Sequence, residues 1–287
     1  MKLLRAFFAA TAFMTAVLAD GKLPPVPNKS TDIPIQTPHS PQTRLPSQSN
    51  AKPPNPAVPF ERLNKTDALL VILDLQDGLF GLARDADPTA FYNAMIAHAA
   101  IGKLFDLPVI MSTSTQTGPN GPLPREILEM YPDAPLVARQ GEVDAWDNAA
   151  FRQAVQETGR KQVIVAGIAT DVCTTFLALS LRAEGYGVWA NVEASGTTTE
   201  LIRDVSNDRM ARAGVHLVSL FAIIGDLMRD WRATPGAPTV IPWMAKYYPV
   251  FGRVAGAHGA AVLNGSLIPG EAELMPESFG TSDVRIS

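Results

Sequence analysis

The chain has 287 residues, a formal net charge of -4 and an isoelectric point near 5.6, with 46% hydrophobic and 18% charged residues. That is ample apolar material for a large core, and Lys and Arg are scattered, so no basic patch marks a nucleic-acid surface. One cysteine, Cys173, excludes an internal disulfide.

Residues 1–19 place Lys2 and Arg5 ahead of an uncharged apolar stretch from Ala6 to Ala19. A membrane span needs about 20 such residues. The pattern predicts a secretory signal cleaved after Ala19, with no membrane partner once it is removed. A mitochondrial presequence, usually Arg-rich and amphipathic, fits less well. Residues 20–60 hold eleven of the 24 prolines among Ser, Thr, Asn and Gln, which reads as a linker or stalk.

From 61 to 232 the sequence alternates strand and helix. "ALLVILD" (68–74) is a continuous apolar run ending in a carboxylate, as expected of a strand buried on both faces. A helix follows, capped by Asp87 with Pro88 at its first position, and Phe91, Met95, Ile96 and Ala99 recur at helical spacing. Next come a strand at 107–113, a short helix near 124–130, a strand at 135–138 and a helix from Asn148 to Thr158 closed by Gly159. "QVIVAGI" (162–168), a helix after Asp171, "YGVWANV" (186–192), a helix over 199–213 stopped by Gly214, "VHLVSL" and a last helix ending near Trp231 complete the series. Six strands with short helical connections predict one doubly wound, three-layer α/β/α domain with a mostly parallel six-stranded sheet. Residues 233–287, rich in Gly, Pro and Ala, show no firm pattern and are expected to wrap the domain or to fray.

Such sheets bind ligands at the carboxyl ends of their strands, which singles out Asp74, Arg139 and Cys173. Each has a plainer role: a turn cap for Asp74, a surface ion pair for Arg139, core filling for Cys173. Cys173 lies in the first turn of a helix after a buried strand, where free backbone N–H groups stabilise a thiolate and can hold an oxyanion. The histidines His39, His98, His216 and His258 form no spaced pair with carboxylates, so no metal site is signalled. "GPNGPLP" (118–124) lacks the Lys and Ser/Thr of a nucleotide loop and reads as a turn.

The segments "LLVILDLQDGL", "VARQGEVDAWDNAAF", "QVIVAGIATDVCTTFLALSLRAEGYGVW", "EASGTT" and "RMARAGVHLVS" resemble the isochorismatase-like cysteine hydrolases, the family that includes nicotinamidase and N-carbamoylsarcosine amidohydrolase. The resemblance implies Cys173 as nucleophile, Asp74 as its base, and a cis Ile168–Ala169 peptide that turns the Ala169 N–H toward that of Cys173 as an oxyanion hole. Many members carry Lys where this chain has Arg139, and Arg orients and stabilises charge but does not shuttle protons. With "AWDN" and "GPNGPL", that change resembles a bacterial-type subfamily of unassigned hydrolases that assemble as rings, implying a homo-oligomer. Nicotinamidases hold a metal through Asp and His past the second strand; here the stretch is "MSTSTQTGPNG", which implies no metal and no cofactor. True isochorismatases lack the cysteine.

The expected activity is hydrolysis of a small amide or carbamoyl C–N bond through a thioester. Trp146 and Phe176 are candidate apolar walls of the pocket, or plain core. A thiol over helix N–H groups with Arg139 nearby is expected to ionise well below the free value of about 8.5, with Asp74 opposing and the pair titrating together. The alternative is a secreted binding or redox-responsive protein that keeps the fold without turnover.

Overall fold

The computed structural model describes residues 61–264. The predicted signal peptide and Pro-rich linker lie outside the described residues, as does the end of the tail. Six strands form one sheet in the order β3-β2-β1-β4-β5-β6, and every pairing is parallel. They are β1 (Ala68–Leu73), β2 (Val109–Ser114), β3 (Leu136–Arg139), β4 (Gln162–Gly167), β5 (Gly187–Asn191) and β6 (His216–Val218). At the centre, β1 runs beside β4 with Ala68 opposite Gln162 and Leu73 opposite Gly167.

Because successive side chains of a strand point to opposite faces, the apolar run of β1 serves two cores. Leu70 and Ile72 join α1 (Pro88–Phe105), Ile127 of α2 (Arg125–Met130), and the later helix α6 (Leu220–Met228). Leu69, Val71 and Leu73 join α3 (Ala149–Glu157), α4 (Thr175–Ala183) and Met210 of α5 (Glu200–Arg212). The result is the predicted three-layer α/β/α sandwich.

The helix boundaries follow the predicted chemistry. Asp87 accepts from the Ala90 N–H at 2.9 Å with Pro88 at the first helical position, and Asn148, Thr199 and Ser219 cap α3, α5 and α6 in the same way. Gly159 and Gly214, at φ +66° and +81°, supply the left-handed residue after α3 and α5.

The tail is more ordered than its composition suggests. α7 (Ala237–Tyr247) and α8 (Pro249–Leu263) follow α6. α7 packs on α1, and its Val240 and Met244 are fully buried in the core that holds Leu70 and Ile72. The apolar positions of α7 are spaced for one helical face, but Pro238 and Pro242 mask that period in the sequence. Among the described residues, no helix is long and apolar enough to cross a membrane.

If α7 is part of the core, Met244→Ala should destabilise the protein by about 2–5 kcal/mol. Urea unfolding measures this; an unchanged midpoint would show α7 to be dispensable.

Candidate active site

The strand order reverses at β1: the chain steps to β2 and β3 on one side and resumes with β4 on the other. Loops leaving β1 and β4 therefore diverge, and the crevice between them is where such sheets place ligands. Asp74 follows β1 and Cys173 follows β4, so the two flank that crevice. Arg139 ends β3, two strands away.

Neighbouring strands lie about 4.8 Å apart, so a side chain from β3 meets β1 only by crossing β2. Arg139 is long enough. Its Nε donates to Ser112 Oγ of β2 at 3.0 Å, and its Nη2 donates to Asp74 Oδ2. Nη1 donates to the Glu142 carbonyl and to the Val143 carbonyl, the latter at 3.2 Å. Ser112 is itself oriented by donating to the Val137 carbonyl at 3.2 Å. Arg139 and Asp74 are both 0% exposed. Four of the five guanidinium N–H groups are engaged, which is what makes a desolvated cation tolerable.

Asp74 has φ 52°, a left-handed conformation that Asp adopts more readily than most residues, and its N–H donates to the Ser112 carbonyl at 2.9 Å. Its Oδ2 belongs to Arg139. Its Oδ1 is buried with no hydrogen-bond partner, and the Cys173 thiol is a neighbour of the carboxylate.

Cys173 sits in a π turn, Thr170–Thr174, rather than in the first turn of an α-helix. The Ala169 carbonyl takes the Thr174 N–H at 3.2 Å and the Thr170 carbonyl takes the Thr175 N–H, both five residues on. In an α turn the Ala169 carbonyl would take the Cys173 N–H; here it does not, which is how a π turn frees an amide for other work. The Ile168–Ala169 peptide is cis, and the Ala169 N–H is a hydrogen-bonding neighbour of the sulfur.

Two glycines make the turn possible by close approach. A Cβ on Gly167 would stand 2.5 Å from the Leu73 carbonyl oxygen and 2.9 Å from Thr174 Oγ1. One on Gly196 would stand 2.6 Å from Ala83 Cβ. Gly196 donates to the Gly167 carbonyl at 3.3 Å and accepts from the Thr170 N–H at 3.0 Å, so "EASGTT" braces the turn from behind. Asp171 adds a further tie, accepting from Thr197 Oγ1 at 2.6 Å.

The electrostatics correct one expectation. Burial, then the Asp74 charge and its hydrogen bond, push the Cys173 thiol up to about 12, against the pull of Arg139 and the Ala169 amide. The acidified thiol fails first because the sulfur is buried and second because the Asp74 charge lies beside it, which together outweigh the pull of Arg139. Desolvation raises the Asp74 carboxyl above its usual 3.8, opposed by the guanidinium. The Arg139 cation in contact with Oδ2 is what favours the carboxylate against that burial.

Trp146 is 8% exposed, stands edge-on to Tyr186 at 5.8 Å, and belongs to the core cluster against which Cys173 packs. Phe176 lies under the Arg209 guanidinium at 5.7 Å and takes part in the contact of α4 with α5. Both therefore have packing roles of their own. Ser112 and the two carbonyls held by Arg139 were not singled out in the sequence, and "EASGTT" was quoted there without a bracing role for Gly196. A serine inside the apolar strand β2 was the one available signal. Among the described residues, no three His, Cys, Asp or Glu side chains gather as metal ligands.

The isochorismatase domain model matches residues 68–220. The probable hydrolase YcaC of Escherichia coli (strain K12) is 45% identical over 174 residues, 61% of this chain and 84% of that protein. The structure of YcaC from Pseudomonas aeruginosa with hexane-2,5-diol and covalent acrylamide superposes with a TM-score of 0.67 and 41% identity, covering 70% of this chain and 98% of that one. The crystal structure of the E. coli YcaC gene product, described as an octameric hydrolase of unknown specificity, gives 0.68 and 40% over 71% and 98% of the two chains.

The shared electrostatics of the trio can be read from iodoacetamide alkylation of Cys173 at mildly alkaline pH. Asp74→Asn removes a like charge beside the thiolate and should speed labelling; Arg139→Ala removes the cation and should slow it. Each strands a buried charge at a cost of about 3–5 kcal/mol, so circular dichroism must show folded protein. Rates equal to wild type in both variants would show that the three groups do not act on one another.

Proposed function

This chain belongs to the isochorismatase family, and from that premise we propose that it is a cysteine hydrolase that cleaves the C–N bond of a small amide or carbamoyl compound through a thioester on Cys173. The observation that carries this is the buried carboxylate of Asp74, divided between the Arg139 guanidinium on Oδ2 and the neighbouring Cys173 thiol.

The chemistry follows from that division. Asp74 receives the thiol proton as sulfur bonds to the carbonyl carbon, so no free thiolate has to accumulate from a thiol held at about 12. Its raised affinity for protons, a consequence of burial, suits it to that role. The carbonyl oxygen becomes an oxyanion, placed against the N–H groups of Ala169 and Cys173. Collapse expels ammonia or an amine, which takes the proton from Asp74. Water then gives a proton to Asp74 and attacks the thioester; the second collapse releases the carboxylic or carbamic acid, and the departing sulfur recovers its proton from Asp74. Arg139 stays charged throughout and holds the carboxylate in place.

The covalent acrylamide of the P. aeruginosa relative fits a reactive nucleophile in that protein, since acrylamide is an electrophile at its alkene carbon. The octameric state of the E. coli relative supports a homo-oligomer here. The proposal retains residues 1–19 as a secretory signal.

Purified protein should release ammonia from at least one member of a panel of small amides, and Cys173→Ala should release none while keeping its fold. No ammonia from any member, with Cys173 still reactive, would favour the binding or redox-responsive alternative. Native mass spectrometry of the protein from its host should give a multiple of one subunit mass, each subunit beginning at Asp20. An intact Met1 would remove the secretory part of the proposal, and a monomer the oligomeric part.

A further inference from the structure

His98 of α1 is the one fully buried histidine among the described residues, and nothing in the proposed chemistry uses it. Its Nε2 lies 3.1 Å from the Val71 carbonyl of β1. A carbonyl only accepts, so Nε2 carries the proton and Nδ1 is a bare acceptor. Asn191, at the end of β5 and also fully buried, donates its Nδ2–H to that Nδ1 at 3.3 Å. This settles which way the Asn191 amide faces. Its Oδ1 then accepts from the Glu193 N–H at 3.2 Å, and its carbonyl accepts from Ser195 Oγ at 2.9 Å. Ser195 Oγ in turn accepts from the Gly167 N–H at 3.4 Å. Next to it Gly196 bonds both Gly167 and Thr170, so this short loop grips the chain on either side of Ala169.

We propose that His98, Asn191 and Ser195 form a positioning relay that sets the Ala169 amide against the Cys173 sulfur. The relay rests on the reading of Cys173 as nucleophile, and it acts through the loop at 193–196 rather than by touching substrate. Only one proton arrangement satisfies every member. A second proton on His98 would set Nδ1–H against the Asn191 NH₂, and turning that amide would cost the Glu193 bond. Burial keeps the imidazole neutral, with its pKa lowered to about 4, so the arrangement holds at any working pH.

The test compares His98→Leu, which fills the space but makes neither bond, with His98→Gln, which offers one donor and one acceptor. Ser195→Ala cuts the last link at a residue 7% exposed. His98→Leu and Ser195→Ala should lower kcat on an accepted amide by roughly ten- to a hundredfold with KM changed little, as expected when a reacting geometry slips. His98→Gln should recover most of the loss. Since the Ala169 amide favours the thiolate, both damaging variants should also be alkylated by iodoacetamide several-fold more slowly. If His98→Leu does not fold, Ser195→Ala carries the same readouts. Folded Ser195→Ala with wild-type kcat and wild-type alkylation would overturn the relay. A wild-type protein that hydrolyses no amide would sink the hydrolase reading instead, and the alkylation rates would still decide whether the relay holds the sulfur's environment.

Discussion

The ion pair between Arg139 and Asp74 lies wholly out of water, and charges so placed persist only where most of their donors and lone pairs find partners. That demand reaches into four segments. β2 must present Ser112 at the crossing point, the chain after β3 must fold back to offer the Glu142 and Val143 carbonyls, and β1 must end in a residue that accepts a left-handed backbone. The fourth is the thiol turn, which brings Cys173 beside the Asp74 carboxylate. A lysine at 139 could not answer the same demand, since a single ammonium on a flexible stem has three donors at one point, where the guanidinium spreads five over a rigid fork.

Much of this was legible in the sequence, for reasons that are local. β1 declared itself as an unbroken apolar run, and a strand with both faces covered has no other composition open to it. Asp87-Pro88, Asn148 and Thr199 marked helix starts because capping depends on residues within one turn. Asp74 and Cys173 could be placed in one crevice because strand ends in a doubly wound sheet converge by topology. What stayed hidden depends on distant or collective effects. The reach of Arg139 across β2 requires the strand order, which neighbouring residues do not encode. The sign of the thiol shift stayed hidden because sequence does not show how deeply the sulfur is buried, and burial is the largest push on it, ahead of the Asp74 charge. α7 was missed because its buried residues, Val240 and Met244, are interrupted by a proline that the helix tolerates.

The thiol turn combines constraints that would each be unremarkable alone. Gly167 lets its backbone approach the Leu73 carbonyl and Gly196 lets the chain pass against Ala83 and Phe91, the π turn withdraws the Cys173 amide from its ordinary partner, and ties from Thr197 and Ser195 hold the arrangement. A thiol held at about 12 beside the Arg139–Asp74 pair keeps its proton at rest, and in the proposed reaction it reacts only when a carbonyl enters and the proton has a destination.

The two cores also differ in when the chain can complete them. The cluster holding Leu69, Val71 and Leu73 draws its buried members from residues up to Val215, whereas the one holding Leu70 and Ile72 runs on to Met244. A chain emerging from the ribosome can therefore close one side of the sheet while the other still lacks α7. Until the last helices arrive, the apolar flank of β1 and α1 stays open to water and to other chains, and contacts so far apart in sequence form slowly. The stretch read as featureless is thus the part that finishes folding, and a nascent chain is most exposed to aggregation or to a chaperone in the interval before it appears.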